Sequence, residues 1–118
     1  MLNSRLYAAA LAGWTLSIGL SAQPAHRPID FQREIRPILS SNCFSCHGPD
    51  QGSRMADLRL DTKEGAMAAR KSGAAIVPGK PDASQLYQRI TTESKGKLMP
   101  PVHAQRTLAA GQKELLKR

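Results

Sequence analysis

The sequence predicts a small, predominantly helical domain, and three observations lead to that prediction. The chain has 118 residues, which is enough for one domain with a limited core. Apolar residues recur at helical spacing in two stretches, one starting near residue 30 and the other near residue 82. Between these stretches, proline and glycine mark loops rather than further long elements.

The first helical stretch is "IDFQREIRPILSSNCFSCHG", with Asp30 as its predicted N-cap. Its apolar residues lie on one helical face: Phe31, Ile35, Ile38 and Leu39. Pro37 falls inside this pattern, so it either kinks the helix or begins a second segment.

The middle of the chain predicts short elements. The stretch "ADLRLDT" alternates apolar and charged residues, which is typical of a short strand or an extended segment. "TKEGAMAAR" predicts one or two helical turns opened by Thr62, and "KSGAAIVPGKP" predicts a loop.

Two further helices are predicted in the last third. "PDASQLYQRITTE" is expected to be capped by Asp82, with Gln85 as the partner in a capping box. "LAAGQKELLKR" predicts a last helix whose apolar face includes Leu115 and Leu116.

The first 22 residues have the organisation of a secretory signal peptide. One positive charge at Arg5 precedes an apolar run from Leu6 to Leu20, and small residues follow. Cleavage is expected after Ser21 or Ala22, which predicts a protein exported to the periplasm or the extracellular space. The alternative is an uncleaved anchor. Residues 23–28 read as a linker, and residues 29–118 as the domain.

The charge balance favours anionic partners. Seventeen Lys and Arg face nine Asp and Glu, a formal net charge of +8. The basic residues are scattered and not interleaved with aromatic ones, which argues against nucleic-acid binding. Aromatic residues make up only 4% of the chain, so its core would gain from a large apolar prosthetic group.

The pair of cysteines carries the strongest chemical signal. Cys43, Cys46 and His47 form C-x-x-C-H, the pattern for covalent attachment of haem. On a helical turn both thiols face one porphyrin edge, and the histidine reaches the iron from the same side. A zinc site would need a further ligand, and His26 and His103 are isolated. A dithiol redox site would need a βαβ context.

The second axial ligand is expected to be Met99, in "KLMPPV", where two prolines restrict the loop. His103 is the rival ligand, although a surface position is the simpler expectation for it. Met55 and Met67 are expected to fill gaps in the core. His47 and Met99 are expected to face one apolar cavity, lined by Phe31, Ile35, Leu39, Leu58, Ile76, Leu86 and Ile90.

Beyond these single features, the order of motifs resembles a known family. "IDFQREIRPILSSNCFSCHGPD", "LRLDT", "AIVPGKPDASQLYQRIT" and "LMPP" follow one another as in planctomycete-type cytochrome c domains, over about residues 29–118. The resemblance implies an all-α, class-I-like cytochrome c domain wrapped around one covalent haem c. It also implies Cys43 and Cys46 as thioether sites, His47 as proximal ligand and Met99 as distal ligand to the iron.

Two departures from the family pattern concern the last helix. The chain ends at "ELLKR", where the pattern continues with a Trp-Ile pair, so a truncated helix is expected. Ala109 stands where the family more often has a Ser or Thr N-cap, and a missing cap costs about 1 kcal/mol. In the family this domain usually heads a longer exported protein.

The leading functional hypothesis is an electron carrier without catalytic residues, steered by its basic surface toward an acidic redox partner protein. One alternative is an electron-entry or peroxidase module of a larger exported enzyme, which an open distal position near His103 would favour. The other alternative is a truncated remnant without haem.

Overall fold

The computed structural model describes residues 27–118, and these residues confirm the prediction of a helical domain: no strand occurs among them. The α-helices are α1 (Arg36–Asn42), α2 (Phe44–His47), α3 (Lys63–Met67), α4 (Gln85–Thr91) and α5 (Ala110–Lys117). A π-helical turn precedes α1 at Phe31–Ile35, and 3-10 turns lie at Pro81–Ala83 and Val102–Ala104. The predicted signal peptide, its cleavage site and His26 lie outside the described residues. None of the described helices has the length and apolar character needed to cross a membrane.

The first helical stretch forms as two segments. Asp30 caps it as predicted, because its Oδ1 accepts a hydrogen bond of 3.1 Å from the backbone N–H of Arg33. Helix α1 then begins at Arg36, which places Pro37 in its first turn. A proline is tolerated there because the missing N–H has no partner within the helix anyway. Pro37 therefore begins a second segment rather than kinking one helix.

The stretch "ADLRLDT" does not form a strand. It runs as an irregular segment in which Leu60 is buried, while Leu58 is half-buried. Alternation alone puts such leucines on one side, but a strand needs a neighbour to complete its hydrogen bonds, and residues 27–118 supply none. Thr62 then opens α3 as predicted, because its Oγ1 accepts a hydrogen bond of 3.2 Å from Gly65 N–H.

The predicted capping box of Asp82 and Gln85 is wrong. Asp82 lies in the 3-10 turn Pro81–Ala83, and α4 begins at Gln85 with Ser84 in the N-cap position. The Ser84 side chain makes no capping bond. Its buried hydroxyl accepts from Val77 N–H at 2.9 Å and lies 2.9 Å from the carbonyl of Lys80. The hydroxyl therefore holds the preceding loop onto α4.

Two groups of buried apolar residues form the core. The first core cluster is Ile38, Ile90 and Leu108, and the second core cluster is Leu60, Ala66 and Ala75. Leu86 packs against both clusters, which joins them. Leu39 is the most completely buried large side chain, at 1% exposed. Leu115 and Leu116, the predicted apolar face of α5, pack on the first cluster but are only half-buried.

Candidate cofactor-attachment site

The structure brings Cys43, Cys46 and His47 together on one turn. Cys43 ends α1, and Cys46 and His47 close α2. The Cys43 carbonyl accepts hydrogen bonds from the backbone N–H groups of Cys46 at 3.1 Å and His47 at 2.8 Å. This backbone geometry places the three side chains on neighbouring positions of one helical turn. Neither cysteine is in a disulfide, and both are half-buried, so two thiols remain for a ligand.

Cys43 faces the core side of this turn. It packs against the second core cluster, and burial raises the pKa of its thiol to about 11. The positive charge of Arg106 partly opposes that rise. Arg106 also reaches the turn directly, because its Nη1 donates a hydrogen bond of 2.9 Å to Ser45 Oγ. The Cys43 thiol is therefore protonated at neutral pH, in apolar surroundings suited to a hydrophobic group.

The ring of His47 is held through one nitrogen. Its Nδ1 lies 3.2 Å from the carbonyl oxygen of Met55. Since a carbonyl can only accept a hydrogen bond, Nδ1 carries the proton in this pair and Nε2 keeps its lone pair. Burial lowers the pKa of His47, and the nearby charges of Arg70 and Arg89 lower it further, while the Met55 carbonyl opposes them. A neutral imidazole with Nε2 available is what an iron ligand requires.

An irregular loop, residues 48–60, follows this turn and forms hydrogen bonds with its backbone carbonyls. The backbone N–H of Leu60 donates to the His47 carbonyl at 2.8 Å, and that of Met55 donates to the Cys46 carbonyl at 2.7 Å. Arg54 donates to the carbonyls of Gly48 at 3.1 Å and Pro49 at 2.9 Å. These bonds satisfy the carbonyls that α2 leaves free at its end. Residues 43–47, called the attachment turn below, are thus anchored by the loop that follows them.

Gly48 allows this arrangement because of space rather than backbone angles. Its φ of −120° is open to any residue, but a Cβ at this position would overlap the carbonyl oxygen of Phe44. The buried glycine lets the chain leave α2 at once and turn into the loop. No other residue fits there without moving the backbone of the attachment turn.

Met99 lies on a loop that is tied to α4. Its backbone N–H donates to the Arg89 carbonyl at 3.0 Å, and the following Pro100 is buried. Arg89 is also close enough to His47 for its charge to act on that ring. Arg89 is therefore shared by the Met99 loop and the surroundings of His47. The Met99 side chain is half-buried, and the assignment of Met99 as an iron ligand stays a prediction.

The remaining candidate residues lie at the surface. His103 is exposed in the 3-10 turn Val102–Ala104, which agrees with the expectation of a surface histidine. Met55 is 60% exposed and Met67 37% exposed, so the expectation that both fill gaps in the core is wrong. Within residues 27–118, no three His, Cys, Asp or Glu side chains gather as a metal site, which gives the zinc alternative no support.

A cavity of about 690 Å³ lies between the first helical stretch, α3 and α5. Its walls include part of the lining expected around the candidate ligands: Phe31, Ile35, Leu39, Ile76 and Leu86. The attachment residues and Met99 do not line it, and neither do Leu58 and Ile90. This cavity therefore does not join these residues to both candidate ligands, and the expectation of one shared cavity stays a prediction.

Arg54, Arg70, Arg89 and Arg106 surround the attachment turn, and sequence reasoning identified none of them. Basic residues are common throughout this chain, and the partners of Arg70 and Arg106 are distant in sequence. Only Arg54 lies close enough to the C-x-x-C-H pattern in the sequence for a contact with the attachment turn to be expected.

A family model described as Planctomycete cytochrome C matches residues 43–103. This match covers just over half of the chain and begins at the first cysteine of the attachment turn. It includes Cys43, Cys46, His47 and Met99. No curated protein and no solved structure shows a significant match to the chain. The helical fold, the paired thiols and the family match agree, and the chain belongs to the planctomycete cytochrome C family.

Proposed function

We propose that this domain binds one haem covalently and passes single electrons. Cys43 and Cys46 would form the thioether bonds, His47 would be the proximal ligand and Met99 the distal ligand. One observation carries the proposal: two free thiols and a histidine share one turn, and the histidine has Nδ1 occupied and Nε2 available. Membership of a cytochrome c family implies the same cofactor and the same general role.

Each residue of the turn has a separate task. The two thiols would hold the haem through thioether bonds, one to each vinyl group. The sulfur of Cys43 lies in apolar surroundings because Cys43 packs against the core. The backbone hydrogen bonds to its carbonyl fix the positions of Cys46 and His47 relative to Cys43. The bound haem would supply the one-electron chemistry. The Met55 carbonyl holds the His47 ring in the ligating tautomer.

Met99 would complete the iron coordination. A methionine sulfur favours reduced iron, so the loop that carries Met99 would raise the reduction potential. The bond between Met99 N–H and the Arg89 carbonyl limits where this sulfur can go. A closed position of this kind suits a carrier that does not bind substrate at its iron.

The proposed setting follows from charge and from residues 1–22. The net charge of +8 would steer the domain toward an acidic redox partner, with an association rate that falls as salt rises. The signal-peptide pattern would direct the domain outside the cytoplasm, where attached haem cannot be lost to the medium. No catalytic residue is proposed.

Expression together with the enzymes that attach haem to C-x-x-C-H tests the central proposal. We expect haem that stays with the polypeptide after acid-acetone extraction. Cys43→Ser and Cys46→Ser should each leave at most one thioether bond, which mass spectrometry and the absorption maximum of the reduced haem both report. Ser41→Ala, an exposed change just before the turn, is the matched control. Haem that is extracted completely from the wild-type chain would disprove covalent attachment.

Replacement of Met99 by alanine tests the distal ligand. We expect a lower reduction potential and new binding of imidazole or cyanide to the ferric iron. His103→Ala should change neither property, because His103 is exposed on its own turn. An unchanged potential in Met99→Ala, with a shift in His103→Ala, would transfer the role to His103. A wild-type iron that already binds cyanide rapidly would instead favour the peroxidase alternative.

A further inference from the structure

The turn that holds His47 contains two residues in an unfavourable backbone conformation. Ala56 has φ 55° and Asp57 has φ 49°, both in the left-handed region. Residues with a Cβ adopt this region only when surrounding contacts hold them there. Both residues follow Met55 directly, and Met55 supplies the carbonyl 3.2 Å from His47 Nδ1. The contacts that keep this pair left-handed therefore also decide where the Met55 carbonyl lies.

The Leu58 N–H closes this turn by donating to the Met55 carbonyl at 3.2 Å, and Arg70 adds side-chain contacts from further along the chain. Its Nη1 donates to the Asp57 carbonyl at 3.1 Å, and its Nη2 donates to the Ala56 carbonyl. The planar fork of one guanidinium thus holds the two consecutive carbonyls of the left-handed pair. Arg70 itself is half-buried, whereas Ala56 and Asp57 are exposed.

Arg54 has a different place in the same loop. Its Nε and Nη2 hold the carbonyls of Gly48 and Pro49, at the start of the loop. Its Nη1 lies 3.7 Å from the carboxylate of Asp57, a side chain that is 95% exposed. Such an ion pair contributes little. Of these two arginines, therefore, only Arg70 donates to the backbone of residues 56–57.

We propose that Arg70 is a positioning residue for the His47 ligand, acting through the turn at residues 55–57. By holding the carbonyls of Ala56 and Asp57, it keeps the Met55 carbonyl on Nδ1 of His47. This inference rests on the proposed function, in which Nε2 of His47 binds iron. It adds a residue that touches neither the haem attachment points nor the iron.

The direction in which the reduction potential changes distinguishes an effect of geometry from an effect of charge. A hydrogen bond from Nδ1–H makes the imidazole a stronger donor, which favours ferric iron and lowers the potential. Losing that bond raises the potential. Losing a positive charge near His47 has the opposite effect, because a nearby cation disfavours ferric iron. Arg70→Lys keeps the charge but not the planar fork, so it isolates the geometric effect.

The test uses haem-loaded wild type, Arg70→Lys and Arg70→Gln. In the reduced protein, NMR measures how fast the Nδ1 proton of His47 exchanges with solvent. We expect exchange at least tenfold faster in both variants, and a higher reduction potential in Arg70→Lys. Arg106→Lys is the matched control, because Arg106 also donates to the attachment turn but does not reach residues 55–57. Its Nδ1 exchange should equal that of the wild type.

A second pair of variants keeps the test valid if the Arg70 changes weaken folding. Glycine adopts the left-handed region without strain. In a background of Ala56→Gly with Asp57→Gly, Arg70→Gln should therefore recover at least part of the protection of the Nδ1 proton. Unchanged exchange and potential in Arg70→Lys and Arg70→Gln would overturn the inference and leave Arg70 a structural residue. Failure of the glycine background to restore protection in a folded Arg70→Gln protein would also overturn it.

The inference and the proposed function fail in distinguishable ways. A wild-type chain without covalent haem refutes the function. The tautomer of His47 in the haem-free chain, read from its ring ¹⁵N shifts, then tests the inference alone. We expect the Nδ1–H tautomer in wild type and a shift toward Nε2–H in Arg70→Gln. The same tautomer in both chains would overturn the role of Arg70.

Discussion

The attachment region, residues 43–60, and helix α5 hold their shapes in opposite ways. The attachment region is mostly irregular, yet hydrogen bonds from Met55, Leu60 and Arg54 fix its backbone carbonyls. Helix α5 is regular over Ala110–Lys117, yet none of its residues is buried and its N-cap makes no side-chain bond. Regular secondary structure is therefore a poor guide to rigidity in this domain. Hydrogen bonds that tie the loop back to the preceding turn are the better guide.

The glycines of the two regions show the same difference. A Cβ on Gly48 would overlap the Phe44 carbonyl, whereas a Cβ on Gly111 would meet nothing within 4 Å. Replacing each glycine by alanine therefore probes how tightly each region is packed. We expect opposite signs for the two changes.

Gly48→Ala should have the largest effect. The added methyl group must push the backbone of the attachment turn away from Phe44, and such overpacking costs about 1–3 kcal/mol. The haem-loaded protein should melt lower by at least about 4 °C, since about 4–8 °C corresponds to 1 kcal/mol in a domain this size. The exposed Gly52→Ala, whose Cβ would make only an ordinary contact, is the control. Equal melting of Gly48→Ala and wild type would show that the turn is loosely held.

Ala109→Ser should stabilise α5 by about 1 kcal/mol. The N-cap residue Ala109 has suitable extended angles, φ −65° and ψ 155°. Half of a capping box is already present, because the Gln112 side chain accepts a hydrogen bond of 2.9 Å from Ala109 N–H. A serine hydroxyl would supply the reciprocal bond. Thermal unfolding should show the gain, and Ala109→Val, which adds bulk without an acceptor, should not.

Gly111→Ala should stabilise the protein by about 0.5–1 kcal/mol, because alanine restricts the unfolded chain and has open space here. Urea unfolding of the haem-loaded protein measures the difference. A loss of stability would mean that α5 is packed closely around Gly111, against the contrast drawn with the attachment region.

The smallest effect concerns pH. Burial lowers the pKa of His47 in the folded chain below its ordinary value of 6.5, so the unfolded state binds the proton more readily. This contribution to stability is complete above about pH 6.5 and is lost as the pH falls through the lowered folded pKa. In the haem-free chain, the free energy of unfolding from urea titrations should be lower at pH 5.5 than at pH 7.5. His47→Gln should show a smaller difference, and an identical slope in both chains would contradict this cause.

Local patterns in the sequence predicted local features of the fold. The spacing of Cys43, Cys46 and His47 needs only one helical turn, and the caps at Asp30 and Thr62 act within three residues. The prediction of Asp82 as N-cap was wrong because Ser84 takes that position. The Ser84 hydroxyl bonds to Val77 in the preceding loop, a contact that no capping pattern reveals. The alternation at Leu58 and Leu60 correctly indicated that both leucines turn toward the core. It could not predict whether they lie in a strand, because a strand depends on a partner elsewhere in the chain.

The surroundings of the candidate site could not be read from the sequence for the same reason. Arg70 contacts residues 56–57, and Arg106 contacts Ser45, across long stretches of chain. Among seventeen basic residues, nothing local distinguishes these two. The cavity of about 690 Å³ brings apolar residues of the first stretch together with Leu115 and Leu116 of α5, a contact that no local pattern in the sequence indicates.

The short reach of the bonds around the attachment turn has a consequence for the order of folding. Cys43, Cys46, His47, Gly48, Met55 and Leu60 are linked within one short segment, so closing these contacts costs little chain entropy. Contacts of this kind form early and fast compared with contacts between distant segments. These local contacts can therefore close before the more distant segments that carry Arg106 and Met99 join them, which makes the attachment turn an early-forming part of the fold.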